Sequence, residues 1–170
     1  DIDFAEFAYR HMGMTYECDF VSAKFTFNIE NCMVIASNYT GSIRKVVVPK
    51  GVHVIKDISA SKTDFTMVTL PTTLIEISDN AFKNCTSLEE VCLPASLQTI
   101  MGSSFEGCSG IKKVTTYLNN QALVNLFPYA EEVVFNGDNV STSTFINSEY
   151  LEKVIISDSV TNIGNEAFSG

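Results

Sequence analysis

Apolar positions in this chain recur at a spacing longer than any one helix or strand. Leu70-Pro71-Thr72-Thr73-Leu74-Ile75-Glu76-Ile77 returns 23 residues later as Leu93-Pro94-Ala95-Ser96-Leu97-Gln98-Thr99-Ile100. The segment that follows repeats at the same offset. Ala81-Phe82, Cys85, Leu88 and Val91 answer to Ser104-Phe105, Cys108, Ile111 and Val114. Looser copies flank this pair. Ile43, Val46, Val48 and Pro49 come first, then Phe65, Val68, Leu70 and Pro71 after 22 residues. Ala130, Val133 and Phe135 follow Ile111 and Val114 by 19, and Leu151, Val154 and Ile156 come 21 later. Val160, Ile163-Gly164 and Ala167-Phe168 then restart the pattern. The anchors Val46, Val68, Val91, Val114, Val133 and Val154 define about six coils.

Periods of 19 to 23 are too short for arrays of helix pairs and suit leucine-rich repeats. The spacing L-x-x-V-x-L sets three apolar groups on the inner side of one strand and its approach. A single coil cannot bury them, but stacked coils bury them as a column, each coil touching its neighbours. Each buried Val, Leu or Phe contributes roughly 1.5–3 kcal/mol. Proline after a strand lacks an N–H, so it ends the ladder and turns the chain. The pattern predicts a leucine-rich-repeat solenoid of right-handed coils. A parallel β-sheet forms one face, and the rest is mostly β with short turns or helical pieces on the other.

The unit [LI]-P-x-x-[LV]-x-x-I-x-x-x-A-F-x-x-C-x-x-L-x-x-V resembles the BspA-type leucine-rich repeats. The resemblance covers residues 43–170 and is strongest over 70–114 and 151–168. Phe25–Ile29 and Cys32–Ala36, followed by Tyr39-Thr40-Gly41, resemble the hairpin that precedes the first repeat of that family, which implies a capping hairpin over residues 21–42. The Ala-Phe and Cys positions are missing from coils 49–65 and 116–145, where Gln121–Phe127 reads as a short helix closed by Pro128. Residues 1–20 lie outside the repeat. Phe4, Phe7, Ala8 and Met12 recur there at helical spacing behind Asp3, an N-cap candidate, which predicts a short helix or part of a cap. After Ala167-Phe168 the pattern calls for a Cys, a Leu and another strand, so the expectation is a chain cut from a longer one or a last coil left open.

Composition narrows the function. An apolar fraction of 45% with 18% charged residues is that of a folded domain. The net charge of -9 argues against nucleic acid, which needs a basic patch, and against anionic membrane surfaces. No apolar run approaches the roughly 20 residues of a membrane helix, so no membrane insertion is expected. The first residues lack the basic region and apolar core of a signal peptide.

Candidate chemistry is sparse. The five cysteines form no C-x-x-C pair and there are two histidines, His11 and His53, so a zinc site of usual spacing is not expected, nor any cofactor. Cys85 and Cys108 share one slot in adjacent coils, a place for a disulfide or thiol ladder and equally for a small buried filler. Cys92 falls at an outward strand position with no basic group placed by sequence to activate it. Gly102–Gly107 is one residue too long for a nucleophile elbow, and its glycines read as turn formers. Asn136–Asn139 has turn chemistry but lacks the order of a calcium loop. Asn38-Tyr39-Thr40, Asn84-Cys85-Thr86 and Asn139-Val140-Ser141 are glycosylation sequons that matter only on a eukaryotic secretory route.

The strand face is the most informative surface. With the anchor valines inward, alternation turns Val47, Thr69, Cys92, Thr115, Val134 and Ile155 outward as an uncharged, mostly β-branched row. Lys45, Met67, Glu90, Lys113, Glu132 and Lys153 form a second exposed row of mixed charge. An uncharged strip flanked by charges suits a protein ligand, although β-branched residues also stabilise a sheet laterally. Six strands at about 4.8 Å give a sheet roughly 24 Å tall. Its face is on the order of 300 Å², against about 800 Å² per partner in a standard interface, so loops or further coils must contribute. The resemblance implies a secreted or cell-surface module that adheres to a protein ligand. The alternative is a structural spacer presenting another domain. A thiol enzyme acting through Cys92 is the remaining reading, and the expectation is that the chain is not an enzyme.

Overall fold

A computed structural model describes residues 15–20, 23–40, 44–58, 64–119 and 123–170. Among these residues the strands in chain order are β1 (Thr15–Phe20), β2 (Ala23–Glu30), β3 (Met33–Ser37), β4 (Lys45–Val47), β5 (Val52–Ile55), β6 (Met67–Thr69) and β7 (Glu76–Ile77). There follow β8 (Glu90–Cys92), β9 (Thr99–Ile100) and β10 (Lys113–Thr116), then a one-turn helix α1 (Leu123–Leu126). The chain ends with β11 (Glu132–Phe135), β12 (Asn139–Val140), β13 (Lys153–Ile156) and β14 (Asn162–Ile163). The helical spacing noted at Phe4, Phe7, Ala8 and Met12 lies outside the described residues.

The chain winds as a solenoid. One face is a six-stranded sheet in the order β4-β6-β8-β10-β11-β13, every neighbouring pair parallel. Its register joins Val46, Val68, Val91, Val114, Val133 and Val154 into one inward column. The first five are buried, whereas Val154 on the edge strand β13 is half-buried.

The opposite face carries more regular structure than the repeat pattern conveys. The hairpin β2–β3 is antiparallel, and β1 adds to it on the outside. From β3 the sheet continues in parallel through β5, β7 and β9. Ile55, Ile77 and Ile100 pair along this sheet and are buried, forming the column that faces the valines. The sheet stops at β9. The next coil spends its residues on α1 instead, and pairing on this side resumes only with β12 and β14.

Aromatic rings fill the turns between the faces. Phe82 and Phe105 stack with centroids 4.8 Å apart and planes 2° from parallel. Phe127, just past α1, takes the next rung 4.9 Å from Phe105. The coil without an Ala-Phe pair thus supplies its ring from a helix end. Phe145 and Phe168 continue the arrangement at 5.0 Å. Near the hairpin, Tyr39 lies 5.3 Å from Phe25 and edge-on to Phe65 at 5.8 Å.

Candidate interaction surface

The sheet register builds the strand face. Lys45 pairs with Met67, Met67 with Glu90, Glu90 with Lys113, Lys113 with Glu132 and Glu132 with Lys153. The row two residues on runs in the same register, with Val47 opposite Thr69, Cys92 opposite Thr115, and Val134 between Thr115 and Ile155. Val47 and Ile155 at its ends are open, at 50% and 40% exposure. Thr69 and Cys92 are exposed, while Thr115 and Val134 are half-buried by their lateral neighbours.

From Glu90 to Lys153 the charged row neutralises itself, whereas exposed Lys45 at its first strand has no ion pair among the described residues. The Lys113 ammonium lies 3.6 Å from Glu90 and 3.7 Å from Glu132, and Lys153 reaches Glu132 at 3.0 Å. One position upstream, Lys112 and Glu131 form a second pair at 2.8 Å. Stacking thus turns mixed charge into lateral ladders. The hydrogen bond from Lys153, with the charges of Lys153 and Lys113, holds the Glu132 carboxyl below its ordinary range. Surface pairs of this kind contribute little to stability. Their consequence is that the lower half of the face presents little net charge to a partner.

The other candidates fall into structural roles. Cys85 and Cys108 are buried thiols in contact, with no disulfide between them, and the Cys108 thiol donates to the Phe82 carbonyl at 2.9 Å. That contact with Cys85, then burial, pushes the Cys108 thiol far up. Cys92 is an exposed free thiol. Partial burial first and Glu90 second push its pKa up, the opposite of an activated nucleophile. Ser104 is buried and donates to the carbonyls of Met101 and Ser78 at 2.6 and 3.0 Å, which commits its hydroxyl to the core. Gly107 has φ of 76°, and a Cβ there would lie 2.2 Å from Asn84 Oδ1. The His53 Nδ1 accepts the Val34 N–H at 3.2 Å, whereas His11 lies outside the described residues. In the Asn136–Asn139 turn, Asp138 uses its backbone carbonyl to accept the Thr161 N–H at 2.9 Å. A Cβ at Gly137 would meet the Tyr117 carbonyl at 2.8 Å. Among the described residues, no three His, Cys, Asp or Glu side chains gather to hold a metal ion. No helix of the described residues is long and apolar enough to cross a membrane. The sequon residues Asn38, Asn84 and Asn139 are exposed.

Sequence reasoning missed the upstream rim of the sheet. Tyr129 and Tyr150 are exposed there, their centroids 5.7 Å apart and planes tilted by 52°. In the preceding coils of the same rim, Arg44, Asp64, Thr66, Thr86, Ser87, Glu89 and Gly110 line an open groove of about 540 Å³. The available signal was an aromatic residue directly before the buried Ala130 and half-buried Leu151, where other coils carry Ser87 and Gly110.

Comparisons with known proteins agree with this architecture. A leucine-rich repeat protein from Bacteroides ovatus is 22% identical, with a TM-score of 0.51 over 74% of this chain and 34% of that one. A leucine rich cell surface protein from Faecalibacterium prausnitzii is 24% identical, with a TM-score of 0.55 over 95% of this chain and 47% of that one. The chain therefore spans a third to a half of the length of these structures. Comparison with curated proteins gives no match. The sequence pattern of the BspA type leucine rich repeat region matches in six copies, across residues 35–130 and 61–170. With its coils, its columns of valine and isoleucine and this match, the chain belongs to the BspA-type leucine-rich-repeat family.

Proposed function

We propose that this chain is a non-enzymatic protein-binding scaffold, secreted or displayed at a cell surface, that docks a protein partner on the face of its six-stranded sheet. The observation that carries the reading is the register of that face. An uncharged row, Val47, Thr69, Cys92, Thr115, Val134 and Ile155, lies beside a row in which Glu90, Lys113, Glu132 and Lys153 pair with each other. From Glu90 to Lys153 such a strip can be desolvated without stranding a charge, which is what the centre of a protein interface requires. The repeat family is one of interaction scaffolds, and the surface location follows the description of the Faecalibacterium prausnitzii protein. The small area of the strip means that loops or further coils share the contact.

The test is binding of the purified chain to a panel of extracellular-matrix and cell-surface proteins. It is run beside a Thr69→Glu, Thr115→Lys double variant whose fold is checked by thermal melting. The expected outcome is a partner bound by the chain and lost by the variant. Binding that survives the double substitution moves the site elsewhere. A folded chain that binds nothing favours the spacer role.

A further inference from the structure

The upstream rim of the sheet carries a second surface, distinct from the strand face. In each coil the chain meets the sheet through a segment hydrogen-bonded to its neighbours. Thr66 N–H donates to the Arg44 carbonyl at 2.8 Å, Glu89 to Thr66 at 3.0 Å, Lys112 to Glu89 at 2.9 Å and Glu131 to Lys112 at 2.8 Å. This ladder aligns Arg44, Thr66, Glu89, Lys112 and Glu131. Two residues upstream, Asp64, Ser87, Gly110, Tyr129 and Tyr150 form a parallel row. The first coils of the two rows line the groove of about 540 Å³, which is shallow and open to solvent. Nothing projects from Gly110, where a Cβ would lie 2.2 Å from the Thr86 carbonyl oxygen. The next coils carry Tyr129 and Tyr150, 39% and 48% exposed, in the same row beyond Gly110, the last residue to line the groove.

Charge pairing divides the rim. Lys112 is held by Glu131, and Lys113 by Glu90 and Glu132. Among the described residues, Arg44, Asp64 and Glu89 form no ion pair, and all three line the groove and are exposed. Arginine only donates hydrogen bonds and a carboxylate only accepts them. An anionic ligand would satisfy Arg44 and be repelled by Asp64 and Glu89. A cationic ligand would do the reverse. A hydroxyl both donates and accepts, as do the hydroxyls of Thr66, Thr86 and Ser87 in the same groove. The tyrosine faces, which follow Gly110 along the row, offer flat apolar surface with a polar tip. We infer that the groove and the tyrosine pair together form a binding site for a neutral oligosaccharide. Sugar hydroxyls engage Arg44, Asp64 and Glu89, and the C–H face of a neighbouring sugar rests on Tyr129 and Tyr150.

The chain contains no tryptophan, so Tyr129→Trp places a single indole fluorophore in the tyrosine pair while keeping an aromatic face there. That variant is titrated with soluble neutral tetrasaccharides of glucose, mannose, galactose and N-acetylglucosamine, with a lysine-rich peptide as control. The expected result is a saturable blue shift with at least one tetrasaccharide. Adding Asp64→Asn and Glu89→Gln weakens it by about tenfold or more, because charged acceptors are lost. The Thr69→Glu, Thr115→Lys pair leaves it unchanged, which separates this site from the strand face. No shift with any tetrasaccharide overturns the inference, as does a shift indifferent to Asp64→Asn and Glu89→Gln. A shift produced only by the peptide also overturns it and assigns the rim to protein contact.

Discussion

Phe105 sits between Phe82 and Phe127, 4.8 and 4.9 Å from their centroids, and is itself buried. Phe105→Ala removes the middle ring of that stack, and the neighbours cannot close the gap without moving two coils. The expected cost is about 3–5 kcal/mol, read from denaturant unfolding. On the surface, Glu132 illustrates a smaller effect with a definite pH sign. Its folded-state pKa is depressed, so the stability it contributes is present above the ordinary carboxylate range and is lost as pH falls through the folded value. The difference in melting temperature between wild type and Glu132→Gln is therefore largest near neutral pH and disappears in acid. Added salt shrinks it at any pH, because the group and its partners face solvent. Cys92 has the opposite bias. Its raised pKa makes alkylation at neutral pH slower than that of a free model thiol, with the rate rising only at higher pH.

The strands of the first sheet were legible because apolar anchors recur every 19 to 23 residues, and the anchors Val46 to Val154 all pair in one register. The second sheet was not. Its elements shrink to two residues at Glu76–Ile77 and Thr99–Ile100, too short for any alternation to register. They exist because neighbouring coils hold them in line, which is a property of the stack and not of the local sequence. Helix α1 was read as Gln121–Phe127, whereas its described part is Leu123–Leu126. The outward rows were legible from alternation, but the ion ladder on them needs the register as well as the sequence. The tyrosine rim escaped notice because Tyr129 and Tyr150 meet only through coil stacking. Element stability should follow neighbour count. Val91 and Val114, on β8 and β10, are fully buried between coils, whereas Val154 on β13 is half-buried and Ile163 on β14 is 51% exposed. Amide hydrogen exchange is expected to be slowest in β8 and β10 and fastest in β13 and β14. Uniform protection along the sheet would contradict a solenoid in which each coil depends on its neighbours.

At the scale of the whole molecule, two surfaces of different chemistry share one scaffold. Apart from Lys45 on its first strand, the strand face is uncharged or self-neutralised, and the upstream rim keeps Arg44, Asp64 and Glu89 free of ion pairs among the described residues. The net charge of -9 is not concentrated on the strand face, where Glu90 and Glu132 are matched by Lys113 and Lys153. Partner binding there should therefore depend weakly on ionic strength, in contrast to a docking surface built on one sign of charge. The most direct test uses two thiols exposed among the described residues as reporters. Cys92 lies in the middle of the proposed docking face, and Cys32 lies in the hairpin turn between β2 and β3. Alkylation of both is followed by mass spectrometry at mildly alkaline pH, with and without a bound protein partner. The account predicts that the partner slows modification of Cys92 and leaves Cys32 unchanged. Unaltered labelling of Cys92 under saturating partner would contradict it.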